Sequence, residues 1–130
     1  MSRIFENLSS LDYPGRLIII GKDKSEKNII AVYAITGRSP SSQARRIEQK
    51  GDVLWVKQTE KNMLDKDKFD LLIYPAIFLS QGIAVSNGKQ TKDIESFLKQ
   101  SENPVEVLAS SLKGWEYEPD PPIFTPRISG

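Results

Sequence analysis

Nine consecutive positions, Gly37-Arg-Ser-Pro-Ser-Ser-Gln-Ala-Arg45, hold two arginines and three serines directly after an apolar run. Guanidinium forks bind phosphate oxygens bidentately, and hydroxyls and loop amides complete the shell, so Arg38, Ser39, Ser41, Ser42 and Arg45 suit an anion. Each such charge-assisted hydrogen bond contributes on the order of 1.5 to 3 kcal/mol. The same composition also describes a solvated turn. A second polar cluster, Tyr13-Pro-Gly-Arg16, sets Arg16 at the mouth of a strand through a proline-glycine turn. A third, Val85-Ser-Asn-Gly-Lys-Gln-Thr91, leaves a strand and opens a helix, so its amides face a polar ligand group or it is a capped turn. The last eleven residues, from Asp120 to Gly130, contain three prolines and Arg127. Proline fixes φ at about −65° and removes a donor, which holds Asp120, Thr125 and Arg127 in a nearly fixed relation. That tail reads either as a rigid loop serving a ligand or as a strap packing Ile123, Phe124 and Ile128 onto the body.

Composition narrows the chemistry. The 130 residues include no cysteine and no histidine, which excludes a Ser-His-Asp triad, a thiol nucleophile, a disulfide and an ordinary zinc site. Asp65, Asp67 and Asp70 alternate with Lys66 and Lys68 and lack the glycine and glutamate of a calcium loop, so they read as a solvated loop. No metal and no cofactor is expected. The Walker spacing is absent, which argues against an ATPase. Eighteen basic and seventeen acidic residues leave a net charge of +1, so no global field draws the chain to nucleic acid or to a membrane, and any anion site is local. No stretch approaches the roughly 20 apolar residues of a membrane span, and Met1 to Ser10 lacks a signal-peptide run. The expectation is one cytoplasmic domain covering residues 1–130.

Strands and helices must position these clusters. Leu17 to Ile20 and Asn28 to Ile35 read as an antiparallel hairpin across a charged loop, and both faces of the second run are apolar, which predicts cover on both sides. Ala44 to Gln49 and Val53 to Gln58 predict a second hairpin around Gly51, although a helix starting at Ser41 also fits. Thr59 to Asp70 reads as a loop, followed by a β pair, Leu71 to Leu79 and Ile83 to Ser86, in which Pro75 requires an edge or a bulge. Thr91 is placed to cap a helix to about Gln100 that buries Ile94, Phe97 and Leu98. Asn103, Pro104 and Gly114 bracket a second helix with Val105, Leu108, Ala109 and Leu112 as its apolar face. Strands first and helices after them predict an α+β layered domain.

Four of these segments in order, Tyr13-x-Gly-Arg16, Tyr33-x-x-x-Gly-Arg-Ser39 with Arg45, Ser86-Asn-Gly88, and Tyr117-Glu-Pro-Asp120 running into Thr125-Pro-Arg-Ile128, resemble the archaeal-type IMP cyclohydrolase family. The resemblance covers nearly the whole chain. It implies a four-layer αββα sandwich of antiparallel sheets, similar to the N-terminal nucleophile hydrolase fold, and closure of 5-formamidoimidazole-4-carboxamide ribonucleotide to inosine monophosphate. Ser2 lies well upstream of the first strand, so no autoproteolytic nucleophile is expected. By resemblance, Arg16, Arg38, Arg45 and Arg127 hold phosphate or orient the base, Asn87 and Gly88 are amide donors, and Tyr33 faces the substrate. Ser39 and Thr125 complete the binding set. Tyr33, Arg16 and Asp120 are the catalytic candidates, while Tyr117, Glu118 and Lys89 are further acid-base groups within reach of the motifs. Two other readings stand beside this one: a purine-nucleotide-binding protein without activity, and a different amidase on the same fold, which would need a nucleophile. Family members continue beyond the Thr-Pro-Arg-Ile motif, so the domain is expected to be incomplete or completed by another chain. Six strands barely furnish two sheets, which predicts a homo-oligomer.

Overall fold

In the computed structural model, which describes residues 3–12, 15–59 and 69–130, two antiparallel sheets pack face to face. β1 (Arg16–Lys22) and β2 (Ile29–Ile35) form the first, with Ile18 opposite Tyr33 and Arg16 opposite Ile35. The second has the order β3-β4-β5-β6, built from β3 (Arg45–Lys50), β4 (Val53–Gln58), β5 (Tyr74–Leu79) and β6 (Ile83–Val85). The β1–β2, β3–β4 and β5–β6 pairings each follow from a short polar or glycine-bearing connection, as the sequence predicts, whereas β4 and β5 pair across the longer segment between Gln58 and Tyr74. Pro75 lies in a central strand rather than at an edge. Its missing donor is accommodated where the β4–β5 register shifts between Leu54 and Trp55. Tyr13 and Pro14, and most of the loop from Thr59 to Asp70 with Asp65 and Asp67, lie outside the described residues.

Helices that the strand-rich pattern did not announce are α1 (Arg3–Ser9) and the single turn α3 (Phe69–Leu72), and the helix offered from Ser41 is only the single turn α2 (Pro40–Gln43) before β3. The two longer C-terminal helices, α4 (Thr91–Leu98) and α5 (Pro104–Ser111), cover one face of the second sheet. Ile94 and Val107 meet Ala84 there, with Phe97, Leu98, Leu108 and Leu112 around them. The apolar face of α5 is turned by about one position from the expected one, since Val107 and Ser111 are buried while Val105 and Ala109 are exposed. Asn103 caps α5 as predicted, accepting from the amides of Val105 and Glu106. Thr91 does not cap α4: Gln90 holds that position, and the Thr91 hydroxyl donates to the Gly88 carbonyl at 2.7 Å.

The other face of the second sheet buries Val56, Tyr74, Ala76, Ile77 and Val85 against Tyr33, Ile18 and Ile35 of the hairpin. Helices, four-stranded sheet and hairpin therefore make three layers. The α+β class and the two antiparallel sheets agree with the sequence, whereas the predicted cover on both faces of β2 does not. Ile19, Ile30 and Val32 share the outer face, and Ile30 and Val32 are 46% and 42% exposed. Period-2 alternation reports which residues share a face, not whether anything covers it.

The tail runs antiparallel beside β6. Val85 and Gly130 exchange both backbone hydrogen bonds, at 2.8 and 2.9 Å, and Ser86 bridges to Ser129. The tail is thus a strap, but one that packs Ile128 and leaves Ile123 and Phe124 exposed. Asn103→Ala should lower stability by about 1 kcal/mol in urea unfolding, through loss of the α5 cap, while Asn103→Asp should be near neutral.

Candidate functional site

Arg16 opens β1 and points at the tail, where its guanidinium donates to Oε1 of Glu118 at 2.8 Å. The two residues are 102 positions apart, and both side chains are largely shielded from solvent. The guanidinium also lies 5.9 Å from the centroid of the Tyr74 ring. Behind it, the hydroxyls of Tyr33 and Tyr74 share a hydrogen bond of 2.7 Å. Burial pushes both phenols above their ordinary value, so both keep their protons. Burial also raises the Glu118 carboxyl above the usual carboxylate range, although Arg16 and Arg127 pull the other way.

The turn after β6 anchors the tail. Asn87 is buried, donates to the Pro126 carbonyl at 2.8 Å, and accepts from the Ile128 amide and from Gln90, each at 3.0 Å. Gly88 lets the backbone pass this crowd: a Cβ there would sit 2.6 Å from Oε1 of Gln90 and 2.9 Å from Nη1 of Arg127. Arg127 bonds the Glu116 carbonyl and Gln90 and stacks 4.6 Å from the Trp115 ring centroid. Asp120 folds the tail on itself, accepting the Thr125 amide at 2.7 Å and the Thr125 hydroxyl.

The segment from Gly37 to Arg45 closes by its own bonds. Ser39 caps α2 through a reciprocal pair with Ser42, and its hydroxyl also lies 3.2 Å from that of Ser41. Arg45 donates to the carbonyls of Ser42 and Thr36, at 2.6 and 3.2 Å. A Cβ on Gly37 would meet the Ser42 backbone at 2.4 Å, which is why the turn needs glycine there.

Arg16, the segment from Arg38 to Arg45, the α3 leucines and the tail line a cavity of about 520 Å³. Its lining combines Arg16, Arg38, Ser39, Ser41, Ser42 and Arg45 with Glu118, Asp120 and Thr125, and adds apolar surface from Leu71, Leu72, Pro119, Pro121 and Ile123. A smaller cavity of about 320 Å³ adjoins it, sharing Arg16, Arg38, Ile123 and Thr125 and reaching Asn87. The volume and the mixed lining suit a small ligand with one anionic end and one apolar face. Among the described residues no group of three acidic side chains is placed to hold a metal ion.

Six sequence-derived candidates, Arg16, Arg38, Ser39, Arg45, Asp120 and Thr125, thus border a single cavity. Tyr33 lies in the core beneath it, Gly88 and Asn87 are engaged in holding the tail, and Arg127 faces a separate cavity with Trp115, Tyr117 and Phe124. The apolar lining was not foreseen, because Leu71 and Leu72 read as the start of a strand and Ile123 as strap packing. Glu118 was visible only as a spare acid. Its adjacency to Arg16 carries no local sequence signal.

The family model described as IMP cyclohydrolase-like protein matches residues 13–130. The chain is 30% identical over 119 residues to an IMP cyclohydrolase of Methanothrix thermoacetophila, and 31% identical over 117 residues to one of Methanopyrus kandleri. These matches cover 91% and 90% of this chain and 56% and 57% of the two relatives, so the chain spans little more than half their length. The chain belongs to the IMP cyclohydrolase-like protein family.

Arg16→Met should destabilise the protein by roughly 3 to 5 kcal/mol, because it leaves a buried carboxylate unpaired, and the double change with Glu118→Leu should recover much of that loss in urea midpoints. A raised folded-state pKa means that the native state binds more protons than the unfolded chain between the ordinary carboxylate value and the raised one. Wild-type stability in that window should therefore fall as pH rises, relative to Glu118→Gln, in which this contribution is absent. An identical slope in the two proteins would refute the assignment.

Proposed function

We propose that the chain binds a purine nucleotide in the cavity between Arg38, Arg45 and the tail, and closes 5-formamidoimidazole-4-carboxamide ribonucleotide to inosine monophosphate. The observation that carries this reading is the meeting of Arg16, Arg38 and Arg45, from two separate segments, with the serine-rich turn around one cavity. Family membership and the names of the two archaeal relatives, both IMP cyclohydrolases, support it. In this proposal Arg38, Arg45 and the hydroxyls of Ser41 and Ser42 face the phosphate, and the base lies toward Arg16.

Ring closure is intramolecular. The carboxamide nitrogen bonds to the formyl carbon, the formyl oxygen leaves as water, and each of the two nitrogens gives up one proton. The enzyme's share is to fix the reacting rotamer, stabilise the developing oxyanion and relay protons. Arg16 is suited to the oxyanion because Glu118 and the Tyr74 face hold its guanidinium in place before the substrate arrives. Preorganised donors of this kind contribute about 10²- to 10³-fold.

A second reading, nucleotide binding without turnover, is favoured by one specific feature. The groups proposed for proton transfer are engaged within the protein: Tyr33 with Tyr74, Asp120 with Thr125, Glu118 with Arg16. We also propose that the family's four-layer sandwich is completed over the outer face of β1 and β2, by further chain or by another subunit, and that the assembly works in the cytoplasm. No helix among the described residues is long and apolar enough to cross a membrane.

The test is ring closure of the formamido nucleotide followed by ultraviolet absorbance. Wild type should turn over, Arg38→Ala should raise KM at least tenfold, and Arg16→Met should lower kcat by about 10²-fold. Calorimetric binding of inosine monophosphate without turnover would select the second reading. No binding would remove both.

A further inference from the structure

Ile123 is a large apolar residue, 57% exposed, at the lip of the cavity. Its position is strictly held. The Ile123 amide donates to the Asp120 carbonyl at 3.0 Å, and two residues on, Thr125 donates its amide and hydroxyl to the Asp120 carboxylate. Between them Phe124 adopts φ of 50°, a left-handed conformation that an aromatic residue rarely takes, and the two neighbours consequently serve different cavities. Phe124 lines the one with Trp115 and Arg127, whereas Ile123 lines the one with Arg16, Arg38 and Arg45. Ordering an exposed isoleucine by a clasp of this kind has no benefit for the core, because Ile123 is absent from both buried clusters.

We propose that Ile123 is a base-contact residue: together with Leu71 and Leu72 it closes on the flat face of the bound purine, and Asp120 and Thr125 are positioning residues that present it. This deepens the nucleotide reading above and rests on it. The arginines and serines recognise the phosphate of any ribose phosphate, while the apolar lining adds affinity only for ligands that carry a planar base. Asp120, which the sequence suggested as catalytic, acts through Ile123 in this arrangement, since its carboxylate already accepts both Thr125 donors.

Calorimetric titration of the full chain with inosine monophosphate and with ribose 5-phosphate separates the two contributions. Wild type should bind the nucleotide more tightly than the base-free phosphate. Removing the buried methyl and methylene carbons in Ile123→Ala should weaken nucleotide binding by about tenfold or more and change ribose 5-phosphate binding by less than about twofold. Ile123→Val should restore most of the difference. Asp120→Asn, folded by circular dichroism, should reduce the same selectivity and leave ribose 5-phosphate binding in place. If Ile123→Ala leaves the nucleotide-to-phosphate ratio unchanged, or weakens both ligands equally, the base contact is wrong while the nucleotide site stands. If wild type binds neither ligand, the nucleotide site itself fails and the base contact falls with it.

Discussion

The ion pair between Arg16 and Glu118 is the constraint on which the site depends. It joins the first strand to the proline-rich tail across 102 positions of sequence, in a place where neither charge has full access to water. A buried pair of this kind adds little net stability compared with apolar residues, yet removal of one partner is expensive, so it fixes which surfaces meet rather than how tightly they adhere. With Arg16 held by Glu118, and the tail tied to Asn87 and to the edge of β6, the arginine turn and the tail face each other across a gap of defined width. The hairpin beneath is pinned to the larger sheet by Tyr33, whose hydroxyl meets Tyr74 directly under the same guanidinium.

Chemistry in such a site has to come from geometry and charge. Without histidine or cysteine, proton transfer falls to phenols, carboxyls and amines, and burial holds the Tyr33 and Tyr74 phenols in their protonated form. An intramolecular condensation asks less of acid-base groups than a hydrolysis does, because the nucleophile and electrophile already share one molecule. A preorganised guanidinium beside a cavity of nucleotide size is consistent with that demand. The chain spans 56–57% of the archaeal relatives, and the outer face of β1 and β2 carries exposed isoleucine and valine.

Local signals carried the sequence reading a long way. The hairpins, the Asn103 cap, the bulge that Pro75 offered as an alternative to an edge and the clustering of arginine with serine after β2 all express near-neighbour chemistry, and each is present. What was illegible involves partners distant in the chain. Nothing near Glu118 announces that Arg16 lies against it, nothing near Thr91 shows that it is the first residue of α4 rather than its cap, and alternating isoleucines in β2 do not reveal that one face is open. Arg127 illustrates the same limit: its type suggested an anion, but Trp115, Gln90 and the Glu116 carbonyl surround it. Ile123 is the converse case, an apolar residue read as packing that the fold presents at the mouth of a polar cavity.

A crystal structure of the protein with inosine monophosphate is the most direct measurement. The phosphate should lie within hydrogen-bond distance of Arg38 or Arg45, with a flat face of the purine against Ile123, Leu71 and Leu72 and the Arg16–Glu118 pair intact. A nucleotide bound elsewhere, or guanidinium groups of Arg16, Arg38 and Arg45 turned to separate sides of the molecule, would contradict convergence on a single anion.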